Sequence, residues 1–217
     1  MTDWSVIGVA GMARIVDRDA KRLKILEAAG ARFARSGYEA TSMDDLASAA
    51  GVSKGSLYDY FRNKEDLFYG VFEWLQQVLM QASLERVRDG ATAHERIGGF
   101  AEAAIGAFVE HVALYPVMLD VRAAAAKTDT RERFAEAMRN VYAAYRAEVT
   151  QLLLDGQERG EIDRSRDAAT IAGMLIDAVD GLMLQYWLDP SFDPGRWARE
   201  FIDGLFGGIG IKQTGSS

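Results

Sequence analysis

Between residues 41 and 64 the chain carries two helical segments too short to stand alone, TSMDDLASAA and SKGSLYDYF, joined by a turn at Gly51. Isolated helices below ~12–15 residues are marginal in water, so both need something to pack on. Their apolar residues are Met43, Leu46, Ala47, Val52, Leu57 and Phe61. The preceding segment supplies the partner surface. Leu23, Leu26, Gly30 and Phe33 recur at three- and four-residue steps with Ile25 and Ala29 beside them, which predicts a helix from Asp19 that stops at Gly37. Arg18, Lys21, Arg22 and Lys24 decorate its other face. With the apolar groups turned inward, the second short segment shows solvent Ser53, Lys54, Gly55, Ser56, Tyr58, Asp59 and Tyr60. Such a face suits the major groove of DNA. Small residues let the backbone approach, lysine reaches guanine or phosphate, and hydroxyls bond bases or phosphate oxygens.

The rest of the chain also reads as helix. In Thr41-Ser42-Met43-Asp44-Asp45 a hydroxyl followed three residues later by an acid marks a helix start. Ser53 caps the next helix, which is predicted to reach Phe61, and Asn63 caps a longer one beginning Lys64-Glu65-Asp66. Further helices are predicted over 91–114, 117–126, 130–159, 166–188 and 193–206, bounded by Tyr115-Pro116, Gly160, Asp189-Pro190 and Asp193-Pro194. With three prolines in 217 residues and no strand-type alternation, the expectation is an all-α chain of about nine helices. It divides into an irregular arm (1–18, with Met12 as an alternative start), a three-helix unit (19–64), a larger helical domain (65–210) and a disordered tail (211–217).

Composition removes several function classes. Without cysteine there are no disulfides or thiolate metal sites, and two histidines alone argue against a transition-metal sensor, so neither metal nor cofactor is expected. No HExxH, no GxxxxGK[ST] and no Ser-His-Asp spacing points to an enzyme. No apolar run reaches the ~20 residues that span a bilayer, and the start lacks a secretory n-region, so a cytoplasmic protein without membrane contact is expected. The net charge of −7 opposes DNA binding until it is divided. Residues 1–64 hold ten Lys/Arg against eight Asp/Glu, a net +2, and the remainder is −9. DNA binding needs a local basic face rather than a basic protein.

The stretch ILEAAGARFARSGYEATSMDDLASAAGVSKGSLYDYFRNKEDLF, residues 25–68, resembles the N-terminal domain of the TetR (tetracycline repressor) family. The likeness rests on F-A-x-x-G-Y-x-x-T-S, A-x-x-A-G-V-S and G-S-L-Y-x-Y-F-x-N-K-E-x-L. It implies a helix-turn-helix DNA-binding domain joined to a C-terminal helical domain for ligand binding and dimerisation. It implies that Thr41, with Ser42, forms a phosphate-binding cap, and that Lys54, Gly55 and Ser56 approach base edges. Tyr58 and Lys64 take phosphate contacts, and Tyr60 is a further DNA contact. Asp59 departs from the pattern, since an acid near DNA repels phosphate.

For the C-terminal two-thirds the resemblance implies two tasks. Dimerisation falls to the last two long helices, through Leu175, Val179, Leu182 and Tyr186 on one and Trp197, Phe201 and Leu205 on the other, building a four-helix bundle about a twofold axis. Two reading heads then match a palindromic double-stranded operator. An unidentified apolar or aromatic effector would be held among Trp74, Phe108, His111, Met118, Met138, Tyr142, Tyr145, Met174 and Met183, with Met80, Phe100 and Gln185 nearby. The expected function is a ligand-responsive repressor. An activator, or a regulator governed by a partner protein, stays open.

Overall fold

The computed structural model describes residues 4–87, 90–126 and 131–209. The expected disordered tail lies outside them. Among the described residues there are nine α-helices, one short 3-10 turn and no strand. The helices are α1 (Trp4–Ser36), α2 (Met43–Ala49), α3 (Lys54–Tyr58), α4 (Lys64–Glu85), α5 (Ala93–Glu110), α6 (Tyr115–Ala126), α7 (Arg131–Glu158), α8 (Ala168–Leu188) and α9 (Pro194–Ile209), with the 3-10 turn at Val112–Leu114.

Three boundaries differ from expectation. The first helix begins at Trp4 rather than Asp19. The stretch before Asp19 holds no proline, and its two glycines, Gly8 and Gly11, each weaken a helix by only about 1 kcal/mol, so nothing in it stops the helix. The third helix stops at Tyr58 instead of Phe61, with Asp59 as its C-cap. The fifth stops at Glu110, capped by His111, and Pro116 falls in the first turn of α6, where its missing N–H costs nothing. Among the described residues one helix, α8, is at 21 residues long and apolar enough to cross a bilayer on length and composition alone. Here Ile171, Ala172 and Leu175 turn into a protein core, and it carries Asp177 and Asp180.

The chain forms two compact units that do not divide at residue 64. The first joins Met1–Leu75 with Ala113–Ala124, and the second joins Gln76–Val112 with Ala125–Ser217.

In the first unit, Ile25, Ala29 and Phe33 of α1 are buried with Leu46 and Ala47 of α2 and Leu57 of α3. Leu57 and Phe61 are the anchors of the five-residue α3, both at most 2% exposed, and together contribute roughly 3–6 kcal/mol of burial. Tyr115, Val117 and Val121 from α6 are also buried. At Gly51 the backbone takes φ +64°, a left-handed value that costs an L side chain about 1 kcal/mol or more. This lets the Val52 N–H turn back to the Ala47 carbonyl at 3.0 Å and sets α3 against α2.

In the second unit α5, α7, α8 and α9 pack around Ile97, Phe100, Leu153, Ile171, Ala172 and Ile202. Helices α5 and α7 come close at Gly156, where a Cβ would stand 2.6 Å from that of Ala93.

Candidate nucleic-acid interface

The exposed face of the first unit is built from its caps. Ser42 rather than Thr41 caps α2. The Ser42 Oγ accepts the Asp45 N–H at 3.2 Å, and Asp45 accepts the Ser42 N–H at 3.0 Å and hydroxyl at 2.7 Å, a closed capping box. The Ser42 hydroxyl, foremost, holds the Asp45 carboxyl below its ordinary range, with the Ser42 N–H and Arg32 adding to this. Thr41 is 2% exposed and donates its hydroxyl to the Gly37 carbonyl at 2.8 Å. It therefore closes the turn after α1 instead of offering a hydroxyl to phosphate.

Ser53 caps α3 by accepting the Ser56 N–H at 3.1 Å. With Leu57 turned inward, Lys54, Gly55 and Tyr58 are exposed and Ser56 is half-exposed, the grouping expected at base edges and backbone. A Cβ added at Gly55 would meet nothing within 4 Å, so this side of α3 is bare backbone. Lys54 Nζ donates to Asp44 Oδ2 of α2 at 3.0 Å. That hydrogen bond, and then the carboxylate charge, raise the lysine above its ordinary pKa.

Sequence spacing missed the part α1 plays here. Lys21 Nζ donates to Ser56 Oγ at 3.0 Å, and Arg18 donates to the Asp59 carbonyl at 3.5 Å. Both cations lie over the ring of Tyr60, at 5.6 Å for Arg18 and 5.9 Å for Lys21, so that face of Tyr60 is covered. The two basic side chains thus sit beside α3 and extend its cationic edge. Their separations of 35 and 41 residues leave no local signal.

Lys64, where the resemblance implies a phosphate contact, is tied into the fold. Its ammonium donates to the Tyr38 carbonyl at 2.8 Å and the Glu39 carbonyl at 3.4 Å, and it stands 4.3 Å from the Tyr38 ring centroid. It clamps the turn between α1 and α2. Asp120 of α6 completes the clamp by accepting the Tyr38 N–H at 3.1 Å.

The residues expected to hold an effector fall in both units. Trp74 and Met118 are half-buried in the first unit and the others belong to the second. Phe108 is buried against the Tyr186 ring. His111 places Nδ1 2.9 Å from the Ala107 carbonyl at the end of α5. Tyr142 donates to Asp180 at 3.1 Å, and burial pushes the Tyr145 phenol up. Met138 and Met183 are half-buried, but Met174 is 52% exposed and points out of the core. A groove of about 1370 Å³ does exist among the described residues of the second unit. Gly98, Glu102, Gly106, Phe192, Arg199 and Asp203 line it, and it shares no residue with the expected pocket.

The expected dimer stripe is corrected in part. Leu175 and Leu182 are buried in the second unit's own core, and Val179, Tyr186 and Leu205 are half-buried. Trp197 is 57% and Phe201 43% exposed. Leu188 and Met174 join them as exposed apolar groups. Because α8 is apolar on several sides, a periodic stripe picks out its core face as readily as an outer one.

Known proteins match both units. The description "Bacterial regulatory proteins, tetR family" fits residues 25–71, and "BetI-type transcriptional repressor, C-terminal" fits residues 93–207. The regulator YhgD of Bacillus subtilis (strain 168) is 42% identical over 79 residues, 36% of this chain and 41% of that one. The nicotine-responsive transcriptional repressor HdnoR of Paenarthrobacter nicotinovorans is 28% identical over 190 residues, 85% of this chain and 91% of its own. The crystal structure of the TetR family regulator PfmR from Thermus thermophilus superposes with a TM-score of 0.64 at 27% identity, covering 84% of this chain and 97% of that one. Two adjoining family matches, the longer spanning more than half the residues, and an α3 whose exposed face is Lys54, Gly55, Ser56 and Tyr58 lead to one conclusion: the chain belongs to the TetR family of bacterial transcriptional regulators.

Proposed function

We propose that the chain is a ligand-responsive repressor that binds a palindromic operator as a homodimer and is released by an apolar or aromatic small molecule. The observation that carries the DNA reading is α3 itself. It is five residues long, anchored by Leu57 and set by Gly51, so that Lys54, Gly55, Ser56 and Tyr58 face outward on a surface without a Cβ at its centre. In this reading those residues meet bases and phosphate, Tyr60 stays at the edge, and Lys21 and Arg18 add phosphate contacts. The boundary between reading head and effector-binding part lies near residue 75 in α4.

Homodimerisation is supported by the exposed apolar side chains of α8 and α9, Met174, Leu188, Trp197 and Phe201. Large exposed aromatics of this kind favour an interface. The effector reading is supported by the polarisable and aromatic groups of the second unit and by a relative whose name records a response to nicotine.

Selection of bound duplex from a random library tests the proposal. The recovered sequences should be two inverted half-sites about one helical turn apart. The paired variant Lys54→Ala with Tyr58→Phe should lose that binding at matched salt, and Trp197→Glu should convert a dimer to a monomer in sedimentation. Recovery of unrelated sequences, or undiminished binding by the paired variant, would refute the assignment.

A further inference from the structure

We propose that Asp44 is a specificity residue of the DNA-binding surface, holding Lys54 away from phosphates that carry no sequence information and aiming its ammonium along α3. The inference rests on the DNA-binding reading above. The two side chains meet at 3.0 Å while 53% and 70% exposed, so the pair does little to hold the fold. Nor does α2 need Asp44 as its cap, because Asp45 closes the capping box with Ser42. Lys54 is the single cation within KGSLY, and its partner lies on the neighbouring helix ten residues back.

The consequence follows from what each DNA group offers. Phosphate attracts any free ammonium by counterion release, whatever the sequence. A phosphate that takes Lys54 brings its own charge beside the Asp44 carboxylate, and the two anions repel. The guanine edge presents neutral O6 and N7 acceptors. A lysine ammonium has three donors, so Lys54 can meet that edge while still donating to Asp44. Asp44 therefore penalises the indiscriminate mode and leaves base reading intact.

The test uses the full chain as wild type, Asp44→Asn, Lys54→Ala and the double variant. Binding is measured by fluorescence anisotropy across salt concentrations, on a duplex selected from a random library and on a scrambled duplex of equal length. At low salt Asp44→Asn should tighten scrambled binding about 3- to 10-fold, the order expected for one exposed charge, and the selected duplex less than about 2-fold. The salt slope on scrambled DNA should steepen by about one per protomer. Neither effect should survive in the Lys54→Ala background. Equal tightening on both duplexes, no change on either, or an effect that persists without Lys54 would overturn the inference. If the wild-type chain selected no duplex at all, the DNA reading would fall and this inference with it, an outcome distinct from an unchanged ratio. Intact Asp45 should keep the thermal transition of Asp44→Asn at the wild-type value, so a changed ratio reports on DNA rather than on folding.

Discussion

Replacing Lys64 with alanine should unfold the reading head more easily and leave the count of phosphate contacts unchanged. The ammonium donates to the Tyr38 and Glu39 carbonyls and lies over the Tyr38 ring, whose neighbours include Phe33 at 6.0 Å and Phe68 at 4.8 Å. A hydrogen bond from a charged donor is worth about 1.5–3 kcal/mol, and a partly exposed cation over an aromatic ring about 0.5–1 kcal/mol. Truncation also leaves the Tyr38 carbonyl without this donor, so the first unit should lose about 2–3 kcal/mol. With an m-value of about 1–3 kcal/mol/M, its urea midpoint should fall by about 0.7–3 M. Hydrogen exchange of the amides between residues 38 and 46 across the urea series reads this unit by itself. DNA affinity should drop because α2 and α3 lose their fixed seat, while the slope of log Kd against log salt stays at its wild-type value. A bare phosphate contact makes the opposite forecast: an unchanged midpoint and a slope smaller by about one per protomer. That pair of results would refute the clamp.

Three further outcomes are expected. Gly55→Ala should fold with a small gain in helix stability, about 0.5–1 kcal/mol, because its Cβ enters open space, yet weaken operator binding by blocking backbone approach; thermal melting and anisotropy on one sample check both signs. Gly156→Ala forces a Cβ to 2.6 Å from Ala93 and 2.8 Å from Ile162, and should cost the second unit about 1–3 kcal/mol in a urea titration while α3 still binds the isolated duplex. Since the folded Asp45 carboxyl lies below its ordinary 3.8, chiefly through the Ser42 hydroxyl, the capping-box contribution is complete above that value and fades as pH falls through the lower folded one; the stability gap between wild type and Ser42→Ala should therefore narrow at the acid end of a pH series, down to the part owed to the Asp45 N–H that Ser42 Oγ accepts at any pH.

Much of the reading head was legible because its signals are local. Gly51 needs its left-handed turn, Ser53 and Asn63 sit directly before the helices they cap, and Asp193-Pro194 opens α9 as such a pair should. The choice between Thr41 and Ser42 was not legible, since each has an acid three residues on. Only the fold decides which hydroxyl is buried against Gly37. Lys64, Lys21 and Asp44 acquire their roles from partners on other elements, so spacing along one helix says nothing of them. The same limit explains Leu175 and Leu182. A helix rich in apolar residues announces that one side is covered, but not whether the cover is its own chain or a second one.

Residues 113–124 belong with the reading head although some forty residues of the other unit separate them from it. They bring Tyr115, Val117 and Val121 to its core and Asp120 to the Tyr38 turn. The head is thus not an autonomous module that can be cut from the chain at one point. A fragment ending at Leu75 would expose the surface those side chains cover. A chimaera that exchanges heads between relatives must graft two segments together, or rebuild the seam where the second one lies. On the proposed reading, DNA preference can therefore drift along α3 residue by residue, while transplanting the whole head requires two simultaneous changes.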